Sequence, residues 1–178
     1  ISATPSSHFN LLRETLNAGK KVFIEKPPCK SLPELEQLIK ASKKSVCKVG
    51  LQRRYWPGTK IVERKIKHAR SYTYQFRTGP YIEGDTLTEL FIHPLDYVLF
   101  LFGSGSVKSS TVVQDGPGMT VQLHLLHENN VSGLIECSTQ HSWNTPTDLL
   151  SIDSKKECLT VQYPILVEGE LKPARFAN

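Results

Sequence analysis

The stretch VFIEKPPCKS, residues 22–31, decides how this chain is read. Val22, Phe23 and Ile24 are strand formers in an unbroken apolar run, the composition of a short strand buried on both faces of a parallel sheet. Glu25 and Lys26 follow at its carboxyl end. Pro27 and Pro28 then forbid the strand to continue, because proline has no amide donor and a fixed φ. The Lys26–Pro27 bond is a candidate for cis geometry. A charged pair is thus held at a strand end by a rigid backbone, and in open α/β sheets ligands bind outside the carboxyl ends of the strands. Lys26 placed there can donate to a substrate hydroxyl and, by its charge, make that hydroxyl easier to deprotonate. A solvated lysine in a polar turn is the plain alternative.

Outward from this stretch the same pattern repeats. Residues 1–4 read as the tail of another buried strand, ended by Pro5, with Ser6 or Ser7 placed to cap a helix. Leu11, Leu12 and Leu16 give that helix an apolar stripe, and Gly19 stands where a C-terminal cap belongs. Ser31 and Glu34 have capping-box spacing and open a second helix, with Leu35, Leu38 and Ile39 towards a core and an end near Lys43 and Lys44. Residues 46–51 read as a third strand. Strand, helix, strand, helix, strand with short connections predicts a parallel sheet with covering helices over residues 1–51.

The pattern changes after Gln52. Residues 57–68 predict a helix. In residues 71–77, Tyr72, Tyr74 and Phe76 alternate with polar neighbours, as in a half-buried strand of antiparallel character. Residues 85–102 predict a long helix stopped by Gly103. Strands follow at 107–113, 120–127, 131–138, 149–153 and 158–163, with Asn129 and Asn130 as a hairpin turn and weak periodicity from Pro164 onward. The expectation for residues 52–178 is an α+β domain, a mainly antiparallel open sheet with a helix on one face.

Bulk composition excludes several classes. The 178 residues are 39% hydrophobic and 22% charged, the balance of a soluble globular chain. The longest apolar stretch is interrupted by Glu89, His93 and Asp96, so it is no ordinary membrane span. The net charge is +5. The densest basic cluster, residues 50–70, has a helical half with a polar face and reads as a solvated helix rather than a nucleic-acid surface. Cys29, Cys47, Cys137 and Cys158 show no CxxC spacing and read as free thiols in the cytoplasm. The chain begins in mid-strand without Met, which reads as a fragment of a longer protein.

The second chemical constellation is GDTLTELFIHPLDYVLFLFG, residues 84–103. On one helix Glu89 and His93 are four apart and Asp96 is three further on, so all three share a face. An ionisable stripe on so apolar a helix must face a cleft or pair internally. Histidine is suited to proton transfer near neutral pH, and a carboxylate one turn away can fix its tautomer. Pro94 predicts a kink beside His93. A core histidine satisfied by Glu89 and a metal site are the competing readings. A third feature, Arg53, Arg54, Tyr55 and Trp56, follows the third strand end and lines either a cleft or a domain junction. His8, after the strand end at Thr4 and Pro5, is the other histidine at a suggestive place.

Taken together, SATPSSHFNLLRETLNAGKKVFIEKPPCKS, VGLQRRYWP and LTELFIHPLDYVLFLFG resemble, in order and spacing, motifs of the glucose–fructose oxidoreductase / inositol dehydrogenase / rhizopine catabolism family. The resemblance covers residues 1–103. It implies a Rossmann domain followed by an α/β domain whose open sheet joins subunits into a homo-oligomer. It implies NAD or NADP as cofactor and a sugar-like substrate, with neither nucleic acid nor membrane as partner. It implies Lys26 between cofactor and substrate and His93 as the proton acceptor or donor, with Glu89 as its partner. Thr4, Pro5, His8, Glu25, Lys26 and Arg54 are the expected cofactor residues. Lys26, Arg54, Tyr55, His93 and Asp96 are the expected substrate residues. The family's usual Asp is Glu89 here, and the small residue two later is Phe91. No G-x-G-x-x-G follows a strand, so the pyrophosphate loop is expected upstream of Ile1 in a parent enzyme, this chain alone being inactive. The rival reading is a non-catalytic binding or dimerisation module.

Overall fold

The structure, a computed structural model, describes residues 1–43, 45–155, 157–163, 166–168 and 174–175. It divides into two compact units, Ile1–Gln52 with Leu87–Glu89, and Arg53–Thr86 with Leu90–Asn178. The fold class is mixed α/β: a small parallel sheet in the first unit and a larger, mostly antiparallel one in the second.

The first unit runs α1 (Pro5–Asn17), β1 (Val22–Ile24), α2 (Leu32–Ser42), β2 (Cys47–Val49), with β1 and β2 parallel. Helix α1 starts earlier than its serines suggest. Thr4 is the N-cap and Pro5 the first helical residue, where a missing amide costs nothing. Gly19 follows the helix with φ +67°, a left-handed turn that other residues rarely adopt. Ser31 accepts from the Glu34 amide at 3.4 Å, and the Glu34 carboxylate returns to the amide of Lys30 at 2.8 Å. Helix α2 ends at Ser42 with Lys43 as its C-cap; the Lys44 of the expected end lies outside the described residues. The core is small: Leu12, Leu16, Ile24 and Leu38. Two expectations fail here. Ile39 is 54% exposed and Leu35 is also exposed, because the narrow sheet receives only one row of α2 side chains. Phe23, on the opposite face of β1 from Ile24, is 57% exposed.

A 3-10 turn (Gln52–Tyr55) and a π turn (Thr86–Leu90) contain residues of both units, and the second unit contains α3 (Pro57–Lys65), β3 (Ala69–Arg77), α4 (Ile92–Phe102), β4 (Gly105–Asp115), β5 (Gly118–His127), β6 (Ser132–Ser138), β7 (Thr147–Ser154) and β8 (Cys158–Gln162). Of the weakly patterned tail, β9 (Leu166–Glu168) and β10 (Ala174–Arg175) are described and the rest is outside. The strand order is β10-β9-β8-β7-β3-β6-β5-β4. Strand β3 is central, antiparallel to β7 but parallel to β6, which its alternation alone does not reveal. Its inward face, Tyr72, Tyr74 and Phe76, is buried as the alternation requires. Tyr72 stacks on Phe102 at 4.6 Å, and Phe76 meets Phe91 edge-on at 6.3 Å, so the apolar face of α4 covers the sheet. At the expected hairpin, Asn130 takes φ 64° and the Asn129 side chain accepts from the Val131 amide at 3.2 Å.

The expected helix over 85–102 is divided. The amide of Phe91 donates to Thr86 at 2.9 Å, closing a π turn, and α4 begins at Ile92. Pro94 therefore falls in the first turn of a new helix, where its lack of a donor is harmless, rather than kinking a long one. Among the described residues no helix is long and apolar enough to cross a membrane, and all four cysteines are unpaired.

Candidate active site

In the first unit the site is built at the end of β1. The Lys26–Pro27 bond is cis. Pro27 is buried, and the Lys26 ammonium donates to the Glu89 carbonyl. An ammonium has three donors, so this contact leaves capacity for a ligand. Burial pulls the Lys26 pKa below the usual lysine range, against the opposing charges of Glu89 and Glu25. The Glu25 carboxylate lies over Gly50 at the end of β2: a Cβ there would come within 2.9 Å of Oε2, so only glycine leaves the carboxylate its place. Thr4 is exposed and Pro5 half-buried, at the start of α1. The Glu25 amide ties this start to β1 through the Ile1 carbonyl at 3.0 Å. His8 is 1% exposed. Its two ring nitrogens lie on the carbonyls of Pro27 and Ala3, so it offers no polar atom to a ligand in this conformation.

In the second unit His93 and Asp96 share one face of α4, half-buried, whereas Glu89 belongs to the π turn and to the first unit. The single ionisable stripe expected on one helix is thus split by the turn. Asp96 is engaged by Arg54, whose Nε donates to Oδ2 at 2.9 Å and whose Nη2 donates to Oδ1. This bidentate pair raises the Arg54 pKa, chiefly through the hydrogen bonds to Asp96. The guanidinium also lies 5.4 Å over Phe100. Tyr55 is exposed.

Sequence reasoning did not separate Arg53 from Arg54, and the structure does. Arg53 is buried and donates to Asp148 at 3.1 Å and 2.5 Å and to Tyr74, whose hydroxyl donates to the same carboxylate at 2.7 Å. Burial works against its charge, but Tyr74 and Asp148 outweigh it and hold the guanidinium protonated. Phe76 and Tyr163 flank it at 5.3 Å and 4.8 Å. No local signal marks this network, since Asp148 stands 95 residues away.

Comparison with known proteins bears on the family and the fold. Residues 1–52 match a family model described as an oxidoreductase family with an NAD-binding Rossmann fold. The oxidoreductase YceM of Salmonella typhimurium is 31% identical over 125 residues, covering 66% of this chain and 41% of YceM. The crystal structure of the dehydrogenase MviM from Clostridium difficile superposes with a TM-score of 0.86 at 21% identity, over 99% of this chain and 61% of that one. An inositol dehydrogenase homologue from Azotobacter vinelandii, crystallised with NADH and myo-inositol, gives a TM-score of 0.78 at 18% identity, over 98% of this chain and 55% of its own. The chain therefore spans less than two thirds of the relatives it matches, and at these identities the crystal structures speak for the fold alone. The motifs, the family match over residues 1–52 and the YceM relationship agree: residues 1–52 match the NAD-binding Rossmann part of the glucose–fructose oxidoreductase / inositol dehydrogenase / rhizopine catabolism family, and the chain as a whole is similar to its oxidoreductases.

Proposed function

We propose that the whole protein transfers a hydride between a nicotinamide cofactor and a hydroxyl-bearing carbon of a sugar or cyclitol. Residues 1–51 serve the cofactor side, as the C-terminal half of a Rossmann domain. Residues 52–178 serve substrate binding and dimerisation. The observation that carries the reading is Lys26: a half-buried ammonium with a lowered pKa, just past the end of β1 and donating to the Glu89 carbonyl, in a segment that matches an NAD-binding family.

A bound NAD or NADP supplies the hydride acceptor, and Thr4, Pro5, Glu25, Lys26 and Arg54 are the residues proposed to line it. Lys26 donates to the reacting hydroxyl oxygen and stabilises the negative charge that develops as its proton leaves. His93 accepts that proton at a ring nitrogen and returns it in the reverse direction, and Glu89 orients the ring. Arg54, Tyr55 and Asp96 shape the substrate side, with the Arg54–Asp96 pair fixing both groups. The myo-inositol held by the Azotobacter homologue supports a polyol as substrate. Unpaired cysteines support a reducing compartment such as the cytoplasm. The proposed partner is a second copy of the chain on the sheet face that carries the exposed Leu134.

The test is His93→Ala in the whole protein. Turnover should fall about 10²–10⁴-fold, the usual worth of a general base, with dinucleotide binding retained. Unchanged turnover rejects the role of His93.

A further inference from the structure

Arg53 and Arg54 are consecutive residues of the 3-10 turn, and Asp96 and Tyr97 are consecutive residues of α4. Turn and helix are joined twice. On the half-buried side the Arg54 guanidinium holds the Asp96 carboxylate. Inside, Thr59 of α3, fully buried, stands between the Arg53 carbonyl oxygen at 2.6 Å and the Tyr97 hydroxyl at 3.1 Å. The donors available fix the direction of both bonds. A carbonyl oxygen only accepts, so the one hydroxyl proton of Thr59 goes to Arg53. The Thr59 oxygen is then left as an acceptor, and Tyr97 donates to it. Burial pushes the Tyr97 hydroxyl up to about 12, so it keeps this proton across the neutral range. Thr59 is also tied to the turn by its main chain: its amide donates to the Trp56 carbonyl at 2.9 Å, and the Trp56 amide donates to the Arg53 carbonyl at 3.3 Å.

We propose that Thr59 is a positioning residue for the substrate side: the relay from Tyr97 through Thr59 to the Arg53 carbonyl fixes how α4 is rolled against the turn, and so sets the Arg54–Asp96 pair and the helix face that carries His93. A single contact between two elements is a pivot. Two contacts, made by adjacent residues on each element, remove that freedom. The inner contact lies away from water, where hydrogen bonds are stronger and unscreened. Its far end is firm, because the Arg53 side chain is locked on Asp148. Thr59 reaches no ligand itself and acts through Arg54 and Asp96. Packing alone does not call for threonine here, since valine has its shape without the hydroxyl. The relay stands on these bonds; its consequence for substrate binding rests on the function proposed above.

The test uses the whole protein. Nitrogen-15 NMR follows hydrogen exchange at the Arg54 Nε–H, which the Asp96 carboxylate protects. Thr59→Val should speed that exchange about fivefold or more, the worth of one hydrogen bond, and Thr59→Ser, which keeps the hydroxyl, should restore the protection. Tyr97→Phe breaks the same relay from the helix side and serves where the valine variant does not fold. It should match Thr59→Val, and the double variant should be no worse than either alone. Unchanged exchange in the single variants, or effects that simply add, overturn the proposal. With myo-inositol and NAD as the assayed pair, Thr59→Val should raise KM about fivefold with kcat nearly unchanged. A lower kcat at constant KM marks a merely destabilised protein and overturns the positioning role. An unmodified protein that does not turn over myo-inositol counts against the proposed substrate alone, and the Arg54 exchange still decides the relay.

Discussion

The two units hold their polar groups in place by different means. In the first, the hydrophobic core among the described residues is Leu12, Leu16, Ile24 and Leu38, and the strands are three residues long. There is too little apolar surface to fix a lysine by packing. Contacts to the main chain do it instead: the Lys26 ammonium on the Glu89 carbonyl, a histidine spread over two carbonyls, a glycine that leaves room for Glu25. In the second, a cluster running from Trp56 to Val161 buries aromatic and aliphatic side chains from two helices and most of a sheet. Polar groups there are held by one another, as Arg53, Tyr74 and Asp148 are, inside that apolar shell. Among the described residues no buried side-chain polar atom lacks a partner in either unit. A small core thus places its functional groups through the main chain, and a large one through side-chain networks.

The comparison breaks most visibly at Asp148. Removing it as Asp148→Ala leaves the Arg53 charge buried without its carboxylate, which should cost about 3–5 kcal/mol. Chemical denaturation followed by a tryptophan signal would measure it, and a cost under about 1 kcal/mol, the worth of an exposed pair, would mean the network is decoration on an apolar core. The first unit offers a smaller probe. Ile24→Val removes one methylene from its core and should cost about 0.5–1.5 kcal/mol. The loss is read as faster exchange of the Val22 and Gly50 amides, which bond to Val46 and to Ile24 at 2.9 Å and 2.8 Å. No change would show that backbone bonds alone hold β1. The smallest effect is in pH. Because burial lowers the Lys26 pKa, its proton leaves at lower pH than that of a free lysine. Turnover that needs the ammonium should then fall on the alkaline side below the ordinary lysine range of about 10.4, and Lys26→Arg should remove that limb. A limb at the ordinary value would mean that Lys26 is solvated in the working protein.

Much of the fold was legible wherever the rule is local. Pro5, Ser31 with Glu34, Gly19 and Asn130 each mark an end or a turn that the structure contains. The alternation of Tyr72, Tyr74 and Phe76 gave the buried face of β3. Pro94 was legible as an interruption but not as the start of a helix, because the π turn before it depends on which carbonyl the Phe91 amide finds. The burial of α2 was overestimated, because an apolar stripe says which side chains prefer a core and not how much core there is to meet them. For the candidate site, the places of Lys26 and Glu25 followed from the proline pair, whereas the engagement of Asp96 by Arg54 and the burial of His8 did not.

The chain's own residues, read in order, determined where strands stop, where helices begin and that a lysine is frozen at a strand end. These depend on φ restriction and amide donors within a few positions. Tertiary structure alone decided that β3 runs parallel to β6, that Arg53 is buried against an aspartate 95 residues on, and that both nitrogens of His8 are spent on carbonyls. Those facts rest on register and packing between segments distant in sequence, where a shift of one residue would exchange every partner.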